Sequence, residues 1–481
     1  MIKIFNTLTN SKEDFKPLKN NEVKMYVCGV TVYDYCHIGH ARAAVVFDTI
    51  RRYFIYKNYS VTFVKNFTDI DDKIIKKANE TGTSWQKISE KYISEHNKDM
   101  TLLNILAPDY APKATEFIDE MINICKILIE KDYAYEIDGD VFFRVKKFKD
   151  YGKLSHRHLD DLLAGARVEI NEKKEYELDF ALWKKSKNNE PSFGSPWGPG
   201  RPGWHIECSA MSAKILGLPL DIHGGGKDLI FPHHENEIAQ TEAAFDKSLA
   251  NYWLHNGFVN IDKEKMSKSS GNFYTIKEVI NEFSPEVLRI FLLSSHYLNP
   301  LDFSLENLAE FEKSIEKFYL LVDRIKDYKV NTKKNTDKNE FIAVYTTFIA
   351  EFEKAMDDNF NTPIALSAVY ELIKEANKFL DQKLDDKTFN TFKNDFFNAV
   401  KVIREVLGIY DKEPEEWFKE NLSIPEGELM NLIGKRNMAR KNKNFIEADA
   451  IRLDLLKKGI ELHDTQSGTK YTARRIHEIN K

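Results

Sequence analysis

The chain has 481 residues, 42% of them apolar and 30% charged, with a formal net charge of −5. That is material for about three domains around sizeable cores, which excludes a disordered, fibrous or minimal disulfide-stapled protein. No run reaches the ~18 apolar residues of a membrane span, and the opening Met1-Ile2-Lys3-Ile4-Phe5-Asn6 has neither a secretory nor a transit pattern, so the expectation is a cytoplasmic protein with no membrane contact.

In chain order, Val23 to Gly29 runs apolar like a buried strand, Thr31 to Gly39 reads as a turn, and Ala41 to Tyr56 has helical spacing through Val46, Ile50 and Phe54. A second apolar run, Ser60 to Phe67, completes a β-α-β unit, the element of a parallel sheet that binds nucleotides beyond its strand C-terminal ends. Helical patterns are expected from Asp71 to Lys131. A hairpin follows from Tyr133 to Val145 with Asp138-Gly139 at its turn, which reads as an insertion between two halves of a sheet. Asn188 to Gly203, rich in Pro and Gly, is expected to be an irregular loop. Beyond Ser304 the positions Phe311, Ile315, Phe318, Val322 and Ile325 recur at 4-3-4-3 spacing, and Thr362-Pro363 opens another helix, so a helical bundle is expected there. A loop at Tyr328 to Glu340 and a linker at Asp411 to Glu416 punctuate it. The last 61 residues carry a net +4 against −9 for the rest, a basic tail compatible with a polyanion site.

Four cysteines, Cys28, Cys36, Cys125 and Cys208, are too few for a disulfide framework, and a shared role would be metal or redox chemistry. Between the first strand and its helix lies His37-Ile38-Gly39-His40. Its histidines share one face at a helix N-terminus, where phosphates are attracted, and Gly39 lets an adenine ring approach the backbone. Far downstream, Lys265-Met266-Ser267-Lys268-Ser269 sets two ammonium groups in a small-residue loop suited to a triphosphate. A third constellation joins Cys28 with Cys208 and with His233 and Glu237, which are i and i+4 on one helix face. Two thiolates, an imidazole and a carboxylate make a tetrahedral zinc set, although by spacing alone His205, His234 and Cys36 are equally available.

The first two motifs, in this order and frame, resemble the HIGH and KMSKS motifs of class I aminoacyl-tRNA synthetases. The stretches Met25 to Asp34, Asn66 to Lys73, Trp204 to Met211, Asp221 to Leu229, Phe231 to Gln240, Tyr252 to Val259 and Ala355 to Pro363 resemble the cysteinyl-tRNA synthetase family over nearly the whole chain. The resemblance implies a Rossmann-like α/β catalytic domain over 1–305 with a connective insertion at about 110–200, a helical bundle over 306–410 that binds the tRNA stem, and a small basic anticodon-binding domain over 415–481. It implies activation of L-cysteine by ATP with Mg²⁺ and transfer to tRNA(Cys), with no obligate protein partner evident. One Zn²⁺ per chain would be held by Cys28, Cys208, His233 and Glu237. Cysteine would sit near Gly29, Thr68, Trp204 and His223, and ATP near His37, Gly39, His40, Gly225, Asp228 and Lys268. Catalysis would rest on His37, His40, Lys265 and Lys268 as donors to developing phosphate charge.

Zinc has a physical logic here, because the borderline-soft ion prefers a thiolate to an alcohol and rejects serine without an editing domain. Three anionic ligands give the site a formal charge of −1, a poor setting for activating water. Rival readings are a cysteine ligase of the mycothiol pathway, set apart by its C-terminal region, and a non-catalytic tRNA-binding paralogue, which has no need of the four motif residues. A nucleotidylyltransferase is disfavoured by length and the zinc set. The chain departs from the family pattern at Lys263, Ser270, Phe193-Gly194, Leu298 and Tyr471, none of them a ligand or motif position. For anticodon phosphates, Lys435, Arg436, Arg440 and Lys441 are the expected contacts.

Overall fold

The computed structural model describes residues 1–159, 173–188, 190–261, 264–265, 273–330, 339–465 and 468–476. A short hairpin, β1 (Lys3–Asn6) and β2 (Ser11–Asp14), precedes β3 (Glu22–Thr31), α1 (Ile38–Tyr56), β4 (Ser60–Thr68), α2 (Asp72–Thr81), α3 (Trp85–Leu102) and α4 (Ile118–Glu130). An antiparallel sheet of β5 (Ala134–Ile137), β6 (Asp140–Phe143), β7 (Phe180–Lys185) and β8 (Gly200–Pro202) comes next, then α5 (Ile206–Leu216), β9 (Leu220–Gly226), α6 (Glu235–Phe245) and β10 (Ala250–Asn256). β3 and β4 pair in parallel, as the β-α-β reading expects, and the central sheet has the order β10-β9-β3-β4, parallel throughout. Alternate residues of these strands are apolar on both faces, because helices cover both. Ile38, Ala41, Val45 and Phe47 of α1 fill one side, while Met211 of α5 and Ile238 and Ala239 of α6 fill the other.

The hairpin turns at Asp138 and Gly139, both with positive φ (53° and 88°), the backbone that two-residue hairpin loops require. The helical run expected from Asp71 to Lys131 is interrupted. The chain turns at Leu103 and Asn104 and then runs without helix to residue 113, past Pro108 and Pro112, and the amides of Lys65 and Phe67 on β4 donate to the Tyr110 and Pro112 carbonyls. This segment covers the sheet's open edge. The expected loop from Asn188 to Gly203 also ends in structure. Gly200–Pro202 forms β8, where Gly200 lies so close to the Trp183 indole that no side chain fits.

β11 (Val259–Ile261) and β12 (Glu264–Lys265) form a small sheet with the later β13 (Leu301–Phe303), and α7 (Ile276–Glu282) and α8 (Pro285–Leu293) lie between them in sequence. The bundle comprises α9 (Leu305–Lys326), α10 (Asn339–Asp357), α11 (Thr362–Leu380) and α12 (Asp386–Leu407). The linker expected at Asp411 to Glu416 is short, because Pro414 already opens α13 (Pro414–Glu420), whose buried Trp417 stacks on Tyr319 at 5.0 Å. The final unit packs α14 (Glu426–Lys441) and α15 (Phe445–Lys457) on the hairpin β14 (Ile460–Thr465) and β15 (Gly468–Ala473), with a core of Leu429, Ile433, Leu455, Ile460 and Leu462.

A buried ionic knot ties the bundle to the sheet. Asp48 on α1 accepts from Arg289 of α8 and, at 2.8 Å, from Arg52, while its second oxygen accepts from the Leu106 amide at 2.9 Å. Arg289 also donates to the carbonyls of Leu407 at 2.7 Å and Leu103 at 2.8 Å. Gly408, at φ 67°, ends α12 directly beneath that guanidinium, where a Cβ would collide with it. Asp48→Asn leaves two buried guanidinium groups without their anion, and we expect a stability loss of about 3–5 kcal/mol, read as a fall in the denaturation midpoint. An unchanged midpoint would show that the knot is not what joins the two halves.

Candidate active site and metal centre

The centre begins with an irregularity in β3. Its pairing with β4 skips from Val27 to Val30, so Cys28 and Gly29 leave the ladder, and such a bulge re-aims the side chains it frees. The Gly29 amide donates instead to Asn66 Oδ1 at 2.8 Å, and a Cβ on Gly29 would collide with the Asn66 carbonyl oxygen. Cys208 stands in the first turn of α5, where the helix dipole favours a thiolate. His233 arrives from a wide turn at Ile230–His234, with Phe231 extended at φ −137°, and Glu237 follows one turn later on α6.

The four expected ligands converge. Cys28 Sγ is 3.5 Å from Cys208 Sγ and 3.3 Å from Glu237 Oε1, and His233 Nε2 is 3.6 Å from Cys208 Sγ and 2.8 Å from Glu237 Oε1. Zinc bonds of 2.0–2.3 Å imply tetrahedral edges of about 3.3–3.8 Å, so the cage matches that size with its His233–Glu237 edge drawn in. His234 Nε2 also approaches Cys28 Sγ, at 3.3 Å, and Cys28, His233, His234 and Glu237 form a second grouping with ligand atoms within 4.8 Å of one another. Cys208 is the better fourth member, because its Sγ stands 3.5 Å from Cys28 Sγ and 3.6 Å from His233 Nε2 and its thiol is drawn toward the thiolate, whereas His234 Nε2 lies 4.0 Å from Glu237 Oε1. Of the alternatives that spacing left open, His205 sets its Nδ1 3.1 Å from His233 Nδ1, beside the centre, and Cys36 is buried in the core on the α1 side of the sheet.

Electrostatics reinforce the convergence. Burial opposes charge on Cys208, yet the hydrogen bond from Cys28 and the neighbouring His233 bring its thiol down to about 6. Burial, with Cys208 and Glu237 adding to it, pushes Cys28 well up. Burial alone would lower His233, and Glu237 and Cys208 hold it up at about 10 instead. Glu237, wholly buried, is kept ionised against burial by His223 and His233. A largely buried set of two sulfurs, an imidazole and a carboxylate suits Zn²⁺, and its outer partners are the kind that orient metal ligands. His223 Nε2 is 3.0 Å from Glu237 Oε2, and Trp204 stacks on His233 at 4.3 Å.

A cleft of about 360 Å³ opens from this centre, lined by Cys28, Gly29, His37, Gly39, His40, Trp204, Gly225 and Asp228 among others. His37 caps α1. Its Nδ1 accepts from the Gly39 amide at 3.1 Å, and His40 Nδ1 accepts from the His37 amide at 3.2 Å, the two rings stacked 3.7 Å apart. With each Nδ1 accepting, the neutral rings carry their protons on Nε2 and act there as donors. Gly225, one residue before the end of β9, lies against the His234 ring, where a Cβ would be too close.

Two expected cysteine-pocket residues sit deeper than the cleft wall. Thr68 is buried and donates to Glu207 Oε2 at 2.6 Å, and His223 is wholly buried behind Glu237, stacked under Tyr26. Lys265 pairs with Asn260 across β12 and β11, while Lys263, Lys268 and Ser270 lie outside the described residues. Leu298 offers its carbonyl to Lys227 Nζ at 2.7 Å, and Phe193 bridges Gly200. The sequence reading missed Asn66, Glu207, His255 and Tyr26 as members of the site. A polar Asn inside the apolar run of β4 was the one visible signal.

The chain matches the model of the tRNA synthetases class I (C) catalytic domain over residues 14–313 and that of the DALR domain over 351–411. It is 52% identical over 480 residues to a cysteine–tRNA ligase of Thermodesulfovibrio yellowstonii, covering 97% of this chain and 99% of the relative. It is 50% identical to the cysteine–tRNA ligase of Geobacter metallireducens, covering 98% and 100%. In fold it resembles the methionyl-tRNA synthetase of Mycobacterium tuberculosis in complex with methionyl-adenylate, with a TM-score of 0.61 and 16% identity over 80% of this chain and 92% of the other.

Gly29→Ala forces a methyl group onto the Asn66 carbonyl and should cost about 1–3 kcal/mol, whereas Gly434→Ala, in open space inside α14, should gain about 0.5–1 kcal/mol. Thermal midpoints of the two variants, measured side by side, check the contrast. Equal midpoints would remove the close-approach account of Gly29.

Proposed function

Because this chain belongs to the cysteine–tRNA ligases of the class I aminoacyl-tRNA synthetases, we propose a division of labour among its residues. The enzyme joins cysteine to tRNA in two steps. A carboxylate oxygen of cysteine attacks the ATP α-phosphorus and pyrophosphate leaves, then a terminal ribose hydroxyl of the tRNA attacks the activated carbonyl and AMP leaves.

In our reading Cys28, Cys208, His233 and Glu237 hold one Zn²⁺ per chain. The convergence of four donors from three separated elements, at the edge lengths of a zinc tetrahedron and beside the cleft, carries that assignment. When bound, the ion supplies a soft acceptor for the substrate thiol and so selects cysteine over serine. Trp204 walls the cysteine pocket and Gly29 floors it. Thr68 and His223 are positioning residues, Thr68 through Glu207 and His223 through Glu237. His37 and His40 direct Nε2–H groups toward phosphate oxygens at the positive end of α1, while Gly39, Gly225 and Asp228 frame the nucleotide. Lys265 and Lys268 complete the charge around the leaving pyrophosphate, which carries Mg²⁺.

Residues 1–305 form the catalytic domain with its insertion, 306–410 hold the tRNA stem, and 415–481 read the anticodon of tRNA(Cys). In that last unit Arg436 is not a phosphate contact, since its guanidinium is buried in a two-fold pair with Asp464 at 2.8 and 2.9 Å. Lys435, Arg440 and Lys441 are the exposed candidates that remain, Arg440 also reaching Asp464. No helix among the described residues is long and apolar enough to cross a membrane, and cytoplasmic function is part of this proposal.

Amino-acid-dependent ATP–pyrophosphate exchange, with cysteine and serine in parallel and zinc measured on the same sample, tests the reading. Exchange with cysteine alone by a protein carrying one zinc is expected, and equal exchange with serine would overturn it. Cys208→Ser should lose zinc and raise the cysteine KM by at least tenfold with little change in that for ATP, and equal losses for both substrates would count against the metal. Lys268→Ala should slow exchange by about 10²-fold or more with the cysteine KM within about twofold, and an undiminished rate would remove Lys268 from the catalytic set.

A further inference from the structure

Outside the metal centre and the phosphate-binding helix start, the mouth of the cleft carries a cluster that neither step of the reaction has yet used. The segment between β3 and α1 raises Tyr33 and Tyr35, both half-buried, and Tyr33 lines the cleft. Tyr35 meets Tyr92 of α3 edge-on at 5.4 Å and 86°. Three lysines from three different helices bring ammonium groups to these rings. Lys73 of α2 lies 5.4 Å from the Tyr33 centroid, Lys91 of α3 lies 5.9 Å from Tyr35 and 5.1 Å from Tyr92, and Lys277 of α7 lies 4.4 Å from Tyr35. Lys73 and Lys91 are exposed, and neither has a carboxylate within ion-pair distance among the described residues. Lys277 pairs with Glu95, and Asp34 is the other acid of the cluster.

Aromatic rings interleaved with cations are the surface that single-stranded nucleic acid recognises, since every unstacked base has a face to stack and every linkage a charge to neutralise. A duplex fits poorly, because its bases are already stacked and its grooves display edges rather than faces. In the reaction the terminal ribose must reach the activated carbonyl inside the cleft, so the last nucleotides of the RNA have to cross the cleft mouth in extended form. We propose that the rim of Tyr33, Tyr35, Tyr92, Lys73, Lys91 and Lys277 receives the single-stranded 3′ end of the tRNA, the tyrosines taking bases and the ammonium groups the phosphodiesters between them. This rests on the cysteine–tRNA ligase reading and gives the acceptor end a defined seat.

The test crosses a protein change with an RNA change. Wild type and the double variant Lys73→Ala/Lys91→Ala are each titrated with a full-length tRNA(Cys) transcript and with the same transcript lacking its last four nucleotides. Wild type should bind the full transcript about tenfold more tightly, and the double variant should bind both alike, at the wild-type affinity for the shortened one. The slope of log affinity against log salt for the full transcript should fall by about 1.4 for two lost contacts with a single strand. Equal weakening of both transcripts, or no weakening of either, would overturn the proposal. Tyr33→Ala, measured for charging in place of binding, should raise the tRNA KM more than it lowers kcat, and a change confined to kcat would also overturn it. Cysteine-dependent exchange on the same samples separates the two levels of inference. A wild type that exchanges pyrophosphate but never charges the full transcript would sink the ligase reading, and the rim proposal with it.

Discussion

Asn66 decides where Cys28 points. Its side-chain oxygen takes the Gly29 amide hydrogen and its backbone carbonyl leaves no room for a side chain there, so β3 gives up its pairing with β4 between Val27 and Val30. The bulge spends two ladder positions and delivers one sulfur to within 3.5 Å of another, 180 residues later in the chain. Every other part of the centre is arranged around that point. Cys208 comes from a helix start, His233 and Glu237 from a kinked turn and the helix after it, and His223 from β9, the strand next to β3.

The proposed ligands come from three elements that meet only through the tertiary fold, which is why spacing could not single them out. His233 and Glu237 share a helix face, and that much is local. Whether Cys208, His234, His205 or Cys36 joins them depends on how α5 and α6 lie against β3, and nothing in the periodicity of either helix encodes it. The family resemblance supplied the set proposed above. The β-α-β unit, the hairpin at Asp138-Gly139 and the start of the bundle were readable because periods of 2 and 3.6 and turn residues are local signals.

Where the sequence reading went astray, tertiary context overrode a local pattern. The prolines at 108 and 112 mark the break in helix that the apolar pattern around them obscured, and the reward for breaking it is a covered sheet edge. Trp417 and Phe418 were signs that a buried helix follows and shortens the linker, because two adjacent large aromatics are costly to leave in water. Arg436 looked like a surface cation by composition, yet its guanidinium holds α14 to β14 through Asp464. Thr68 and His223, expected near the substrate cysteine, stand behind the cleft lining, where they partner Glu207 and Glu237, two buried carboxylates that need such partners.

The hydrophobic side chains that cover one face of the central sheet are continuous with those inside the bundle, from Val45 and Phe54 of α1 through Leu288 and Phe291 of α8 to Phe318 and Phe396, whereas the last unit encloses its own core. The molecule is therefore divisible at one seam and not at the other. Cutting after the catalytic half would open the main core and strand the Arg289 guanidinium without the Leu407 carbonyl, but the end beyond α13 is attached by Tyr471, which packs on both cores, and by polar links such as Lys470 to Asp323 and Asp327. Recombination or gene fusion could exchange that end while leaving the chemistry untouched, so whatever that end recognises is the property of this enzyme most open to being swapped, trimmed or lost in descent.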